Sequence, residues 1–217
     1  MDAEIVVRGE GQQRSMPDRA VLHVTVEGEG AARDEAYETA ARSAKAVDDV
    51  IDRLGDAVER VTHTALVVHP KTRWRKGETV RAGWRASRST SLEVVDLAHL
   101  GDLIAEVAMS GGEISGPNWQ IDADNPAYML ARRAAAQDAR TRAQDYAEAL
   151  GLELGTVRWV AEPGLRRGEY AGPVGGPVAY AAAAMSPASD DREVIDVSPG
   201  EMTVRLAVEV GFAWGAG

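Results

Sequence analysis

The sequence predicts an α+β fold in which mixed or antiparallel sheets pack with three helices. Several segments alternate apolar and polar residues at the two-residue period of a strand with one covered face, and three others place apolar residues at helical spacing. Glycine- and proline-bearing turns separate them. The 217 residues are 45% hydrophobic and 27% charged, enough to build a core and to exclude disorder along the whole chain.

Ile5, Val6 and Val7 open the first strand, which ends at Gly9-Glu10-Gly11. After a polar turn through Met16-Pro17-Asp18, the second strand runs from Ala20 to Glu27 with Ala20, Leu22, Val24 and Val26 on one face. Gly28-Glu29-Gly30 then turns the chain into the first helix, Arg33 to Leu54, whose stripe is Ala36, Ala40, Val47, Ile51 and Leu54 and whose C-terminal cap is Gly55. Two strands follow, Val58 to His69 and Val80 to Val95, joined by a hairpin with its tip at Arg75-Lys76-Gly77-Glu78. Asp96 is the candidate N-cap of a second helix striped by Leu97, Leu100, Ile104 and Val107 and closed by Gly111-Gly112.

A short strand near Trp119 and Ile121 leads to the third and longest helix, capped by Asp124 or Asn125 with Pro126 in its first turn. Its stripe, Ala131, Ala135, Ala139, Ala143, Tyr146 and Leu150, is mostly alanine, which lets a helix approach its sheet closely. A strand from Val157 to Ala161, a Gly/Pro/Ala-rich loop over 163–198 and a long alternating strand from Met202 to Trp214 complete the chain. The order is β-β-α-β-β-α-β-α-β-β. It suggests two β-α-β-β halves, 1–95 and 113–217, joined by the helix 96–110 within a single domain of 1–217, although no residue-level repeat relates them. The final strand is long and apolar on one face, so its edge must be covered, and a homo-oligomer is the expected cover.

Charge and composition narrow the function classes. A net charge of −10 repels nucleic acid and anionic lipid except at a strong local exception. With no cysteine, disulfides, thiolate metal sites and cysteine nucleophiles are excluded. No apolar run approaches the ~20 residues of a membrane-spanning helix, so no membrane insertion is expected. The first residues carry no basic start and no apolar signal segment, and a cytoplasmic location is the expectation.

Several landmarks together resemble the SIMPL domain family. They are Val7-Arg8-Gly9-Glu10-Gly11, Pro17-Asp18, and Gly83-Trp84-Arg85-Ala86-Ser87 where the family usually has Gly-Tyr-Arg-Ala. The helix start from Asp96-Leu97 to Gly101-Asp102, the Ala134 to Leu150 helix with Asp138-Ala139, the exit from Gly151 to Gly155, and Pro199-Gly200 extend the match over nearly the whole chain. The resemblance implies an α+β domain without an established catalytic activity, roles in signalling or stress protection, and ring-like homo-oligomers in some bacterial members. Many bacterial relatives are exported or membrane-anchored.

No catalytic constellation emerges, and no cofactor or metal is expected. Gly28-Glu29-Gly30-Ala31-Ala32-Arg33 lies where a dinucleotide fingerprint would, but Arg33 stands in place of the third glycine. Gly112-Glu113-Ile114-Ser115-Gly116 has its serine one position too late for a nucleophile elbow. His63 and His69 are six residues apart on one strand, too far for one metal, and Asp96, His99 and Asp102 are explained by a cap and a solvated helix face. Asp138 alone lacks an acid partner and is expected to fix a neighbouring backbone or arginine.

The strongest local anomaly is the hairpin 71–88, where Lys71, Arg73, Arg75, Lys76, Arg81, Arg85 and Arg88 face the single acid Glu78, with Trp74 and Trp84 interleaved. The first helix offers an acidic counterpart in Asp48, Asp49 and Asp52. The candidate interface is therefore Arg73, Trp74, Arg75, Arg81, Trp84 and Arg85 against Asp48, Asp49 and Asp52 of a neighbouring copy, beside the plainer reading of a solvated hairpin with surface ion pairs. The leading functional expectation is a non-enzymatic, self-assembling scaffold whose partner is itself, using strand edges, the basic hairpin and the long loop. The alternative is a module binding a small or anionic ligand through the hairpin.

Overall fold

A computed structural model describes residues 4–75, 77–166 and 197–216. Most of the expected loop 163–198 lies outside the described residues. The fold is α+β, with three α-helices and antiparallel sheets among the described residues, and the chain divides into two compact units.

One unit contains β1 (Glu4–Ser15), α3 (Pro126–Leu150), β7 (Leu152–Ala161) and β8 (Met202–Ala216). Its sheet order is β1-β8-β7. The final strand is thus central, covered on both edges by its own chain, and the expectation that it needs another subunit to cover it is corrected. α3 starts where Asn125 accepts a hydrogen bond from the Ala127 N–H at 2.8 Å, and ends at Gly151 in the left-handed conformation (φ 67°). Every fourth residue from Ala127 to Ala147 is buried. Alanine suffices because β1 is cut away opposite it. A Cβ on Gly9 would lie 2.1 Å from the carbonyl oxygen of Ala135, and one on Gly11 would lie 2.0 Å from that of Ala131. The helix backbone therefore rests directly on the strand backbone. Val7, Val210 and Phe212 fill one end of this layer and Val204 the other. As expected, Asp138 fixes its surroundings: its Oδ2 accepts from the Glu10 N–H and from Arg142 Nε, both at 2.8 Å.

The other unit contains β2 (Arg19–Gly30), α1 (Arg33–Leu54), β3 (Val58–His63), β4 (Val67–Arg75), β5 (Glu78–Val94), α2 (Leu100–Met109) and β6 (Gly112–Gln120). Its sheet runs β3-β5-β2-β6, with β4 also paired to β5. The expected single strand 58–69 is two strands. β5 is 17 residues long, and β3 pairs with its second half while β4 pairs with its first. Between them, Thr64 spans the step: its N–H donates to the Ser89 carbonyl and its hydroxyl accepts from the Ser89 N–H. Leu22, Val24, Val26, Leu92 and Val94 from the sheet meet Val47 of α1 and Leu100, Leu103 and Val107 of α2 in a large core.

The units do not coincide with halves 1–95 and 113–217, because β1 pairs with β8 and not with β2, and the helix 96–110 packs inside the second unit. The β-α-β-β idea survives in another form. In one unit β1, α3, β7 and β8 give the order first-third-second; in the other β2, α1, β3 and β5 give the same order. Both first strands carry Gly-Glu-Gly against a helix, since a Cβ on Gly28 would sit 2.3 Å from the Ala40 nitrogen.

Candidate functional site

The hairpin begins as part of the sheet and ends as a free ribbon. β2 pairs with β5 only as far as Gly30 opposite Trp84, so among the described residues β5 from Glu78 to Gly83 pairs with β4 alone. Arg75 stands opposite Glu78 at the expected tip.

At the base of the ribbon the positive charge is spent within the chain. Lys71 Nζ lies 2.5 Å from Glu29 Oε2, and Arg85 donates to the other oxygen of Glu29 from Nη2 at 2.8 Å. Arg85 Nη1 also lies 3.5 Å from Glu27. Hydrogen bonds from Lys71, then from Arg85, hold the Glu29 carboxyl below the usual carboxylate range, and the same pairing raises the Arg85 guanidinium. Arg81 sits 5.5 Å from the centroid of the Trp84 ring, with Arg33 of α1 at 5.9 Å from that ring. Glu29, Gly30, Ala31, Lys71, Ala82, Gly83 and Trp84 line an open depression of about 310 Å³. Glu29 and Glu27 are the participants that sequence reasoning missed; their position on β2, one strand away from Arg85, becomes visible only through the β2–β5 register.

The acidic side of the expected interface is also engaged. Asp48 receives both terminal nitrogens of Arg88, at 2.9 and 2.5 Å, and that side chain is only 14% exposed. Asp49 pairs with Lys45 one turn earlier, while Asp52 is exposed. The structure therefore brings Asp48 to Arg88, and two of the three acids are held by partners in the same chain. Among the described hairpin residues, Arg73 and Trp74 stand out as exposed and unengaged, Trp74 at 73%.

The remaining chemistry resolves into structure. His63 and His69 lie on different strands, opposite Thr90 and Arg85 of β5. Asp96 caps Ala98 and pairs with His99 Nδ1 at 2.7 Å, a hydrogen bond that lowers its carboxyl pKa. Among the described residues no three His, Asp or Glu side chains converge as metal ligands. A cluster that sequence reasoning missed lies on the three-stranded sheet. The Trp159 indole covers Gly211, donates from Nε1 to Glu4 at 2.9 Å, and carries the Arg166 guanidinium 3.8 Å from its ring centroid.

With this geometry in hand, comparison with known proteins is informative. The chain is 27% identical over 168 residues to the 26 kDa periplasmic immunogenic protein of Brucella melitensis and equally to that of Brucella abortus, covering 74% of this chain and 66% of each relative. The match therefore spans just under two thirds of the relatives' own length. Both are named as periplasmic, which overturns the expectation of a cytoplasmic location drawn from the first residues. An uncharacterized conserved protein from Listeria innocua aligns over 91% of this chain and 92% of its own with 12% identity, at a TM-score of 0.26 too low to support an argument. Among the described residues no helix is long and apolar enough to cross a membrane. The profile of one family matches residues 5–212, almost end to end, and the chain belongs to that family, SIMPL, proteins of unknown function.

Proposed function

We propose that this SIMPL protein is a non-enzymatic, self-assembling scaffold of the bacterial cell envelope, with a role in stress or signalling. The observation that carries the reading is the outer edge of β7. Among the described residues this ten-residue strand pairs only with β8, and its Val157 and Val160 are 50% and 63% exposed. An open apolar edge is a template for another strand, and a second copy of the chain always supplies one. The naming of both Brucella relatives as periplasmic supports an envelope location. A non-enzymatic role is supported by the titratable groups themselves, because Glu29, Lys71, Arg85, Asp96, His99 and Asp138 all serve ion pairs or caps within the chain. The ligand alternative is supported less, since the carboxylate of Glu29 in the wall of the depression opposes an anion there.

Sedimentation velocity of the wild type and of Val157→Lys/Val160→Lys tests the edge. The expected result is a wild-type oligomer at tens of micromolar that the double substitution reduces to a smaller species without loss of circular dichroism. A monomeric wild type, or an unchanged oligomer in the folded variant, would overturn the reading.

A further inference from the structure

The free end of the β4–β5 ribbon differs from its base. From Thr72 to Val80 the described residues carry Arg73 and Arg75 against Glu78 alone, while the protein as a whole carries −10. Trp74 shares a face with Thr79 across the ribbon, Arg73 lies on the opposite face with Val80, and neither Arg73 nor Trp74 packs into a core. We propose that this tip docks the protein onto an anionic lipid surface, with Trp74 entering the headgroup layer and the surrounding cations meeting lipid phosphates.

The geometry favours lipid for three reasons. Beyond its last register pair with β2, β5 continues for the six residues Glu78–Gly83, paired among the described residues to β4 alone, roughly 20 Å at about 3.4 Å per residue. The Debye length at physiological ionic strength is about 8 Å. The tip therefore stands more than a Debye length beyond Glu27 and Glu29 at the base of the ribbon, whose repulsion of anionic headgroups is screened. A tryptophan flanked by basic side chains is also the composition of a membrane interface: the indole is apolar with one donor, and arginine keeps its charge in water while its stem lies along the apolar zone. Finally, nucleic acid would need successive stacking platforms. Trp84, the other aromatic of the hairpin, is packed with Ala36, Ala40 and Ala86 and has Arg33 and Arg81 near its ring, so Trp74 stands alone.

The test uses the full chain with vesicles of equal parts phosphatidylglycerol and phosphatidylcholine, with phosphatidylcholine alone as the control, read by co-flotation and by tryptophan emission. The expected result is partition onto the anionic vesicles, weakened by salt, with a blue shift in emission. Trp74→Ala should lower the partition coefficient about tenfold, from the loss of a partly buried indole. Glu78→Gln should raise it about fivefold, the effect of one unit charge near an anionic surface. Glu78 is exposed and outside the core, so the gain should come with an unchanged circular dichroism spectrum and should vanish on phosphatidylcholine alone, which a misfolded chain would not reproduce. Absence of partition at low salt would overturn the proposal, as would partition indifferent to both substitutions. Equal affinity for a single-stranded oligonucleotide, lost in the same way with Trp74→Ala, would also overturn it in favour of nucleic acid.

Discussion

The two units repeat one β-α-β-β topology and one glycine device, yet they hold together differently. In the unit of β1 and α3, the helix presents alanine to the sheet from residue 127 to 147, and the strand opposite carries Gly9 and Gly11. In the unit of β2 and α1 the device covers only the start of the helix, where Ala36 and Ala40 face Gly28 and Gly30. Further along α1 the buried residues grow to Val47, Val50 and Ile51, set among Leu22, Leu92 and the leucines of α2. Strand glycines and helix alanines bring two backbones together with little apolar area buried. Large side chains open the gap and fill it with area, at about 25 cal/mol per Å². One unit is held chiefly by close backbone fit, the other by a conventional core.

That contrast predicts opposite sensitivities. The largest loss should come from hollowing the conventional core: Leu92→Ala, at a fully buried position, should cost about 3–4 kcal/mol through lost transfer energy and a residual cavity. Adding a single methyl to the other unit should come next. In Gly11→Ala the new Cβ meets main-chain atoms of Ala131 and Ala135, which no rotamer change can clear, so α3 must lift, at about 2–3 kcal/mol. Removing atoms should matter less here, and Ala139→Gly should act mainly through helix propensity, about 1 kcal/mol. Hydrogen exchange resolved by segment is the measurement. Gly11→Ala should deprotect α3 and β8, and Leu92→Ala should deprotect α1, α2 and β2. Loss of protection in the wrong unit, or Gly11→Ala without effect, would break the distinction.

How much of this was legible in the sequence depended on how far apart the partners lie. The alternation of β2, β5 and β8 and the periodicities of all three helices are local and could be read directly, and the alanine stripe of α3 correctly signalled a close approach. Tyr146 and Leu150, however, expected to end that stripe, are exposed, and Ala147 is the residue buried there. The equivalence of Gly9-Glu10-Gly11 with Gly28-Glu29-Gly30 could not. The first packs on a helix more than a hundred residues later, beyond an entire second unit. The same long separation hid the burial of the last strand between β1 and β7. At the hairpin the excess of basic residues was plain, but the register that places Glu29 beside Arg85, and the helix face that turns Asp48 toward Arg88, are tertiary facts. The β3–β4 break was missed because nothing in the residues around Thr64 forbids a continuous strand; both segments follow one another along β5, and only the step at Thr64 separates them.

An intermediate effect is expected at Gly211 of β8, where the close contact is with a side chain and not with a helix backbone. A Cβ there would come 2.1 Å from Trp159 Nε1, a side-chain atom that can retreat. Gly211→Ala should therefore displace the indole, sever its bond to Glu4 and release Arg166, at about 1–2 kcal/mol. Urea unfolding followed by tryptophan emission would show it as a lower midpoint and an altered native baseline. An unchanged native spectrum would mean that Trp159 does not depend on Gly211.

The smallest expected effect concerns the middle residue of the shared Gly-Glu-Gly. In β1 the corresponding position, Glu10, lends its N–H to Asp138, whereas in β2 the carboxylate of Glu29 ties down Lys71 and Arg85 at the base of the ribbon. Because both hydrogen bonds favour the ionised form, the carboxyl of folded Glu29 titrates below its ordinary value of 4.5. Its contribution to stability is then complete above the unfolded value and declines as pH falls through the lowered folded one. The group is solvent-exposed, so the loss should be slight and further reduced by salt. Side-chain NMR titration is the direct measurement: Glu29 should titrate below 4.5 in the wild type and move back toward it in Lys71→Met, with a smaller return in Arg85→Met, since Lys71 supplies the larger share. An ordinary titration of Glu29 in the wild type would mean that the base of the ribbon is not fastened by this carboxylate, leaving the Arg88–Asp48 pair, the packing of Trp84 and the main-chain ladder to hold it.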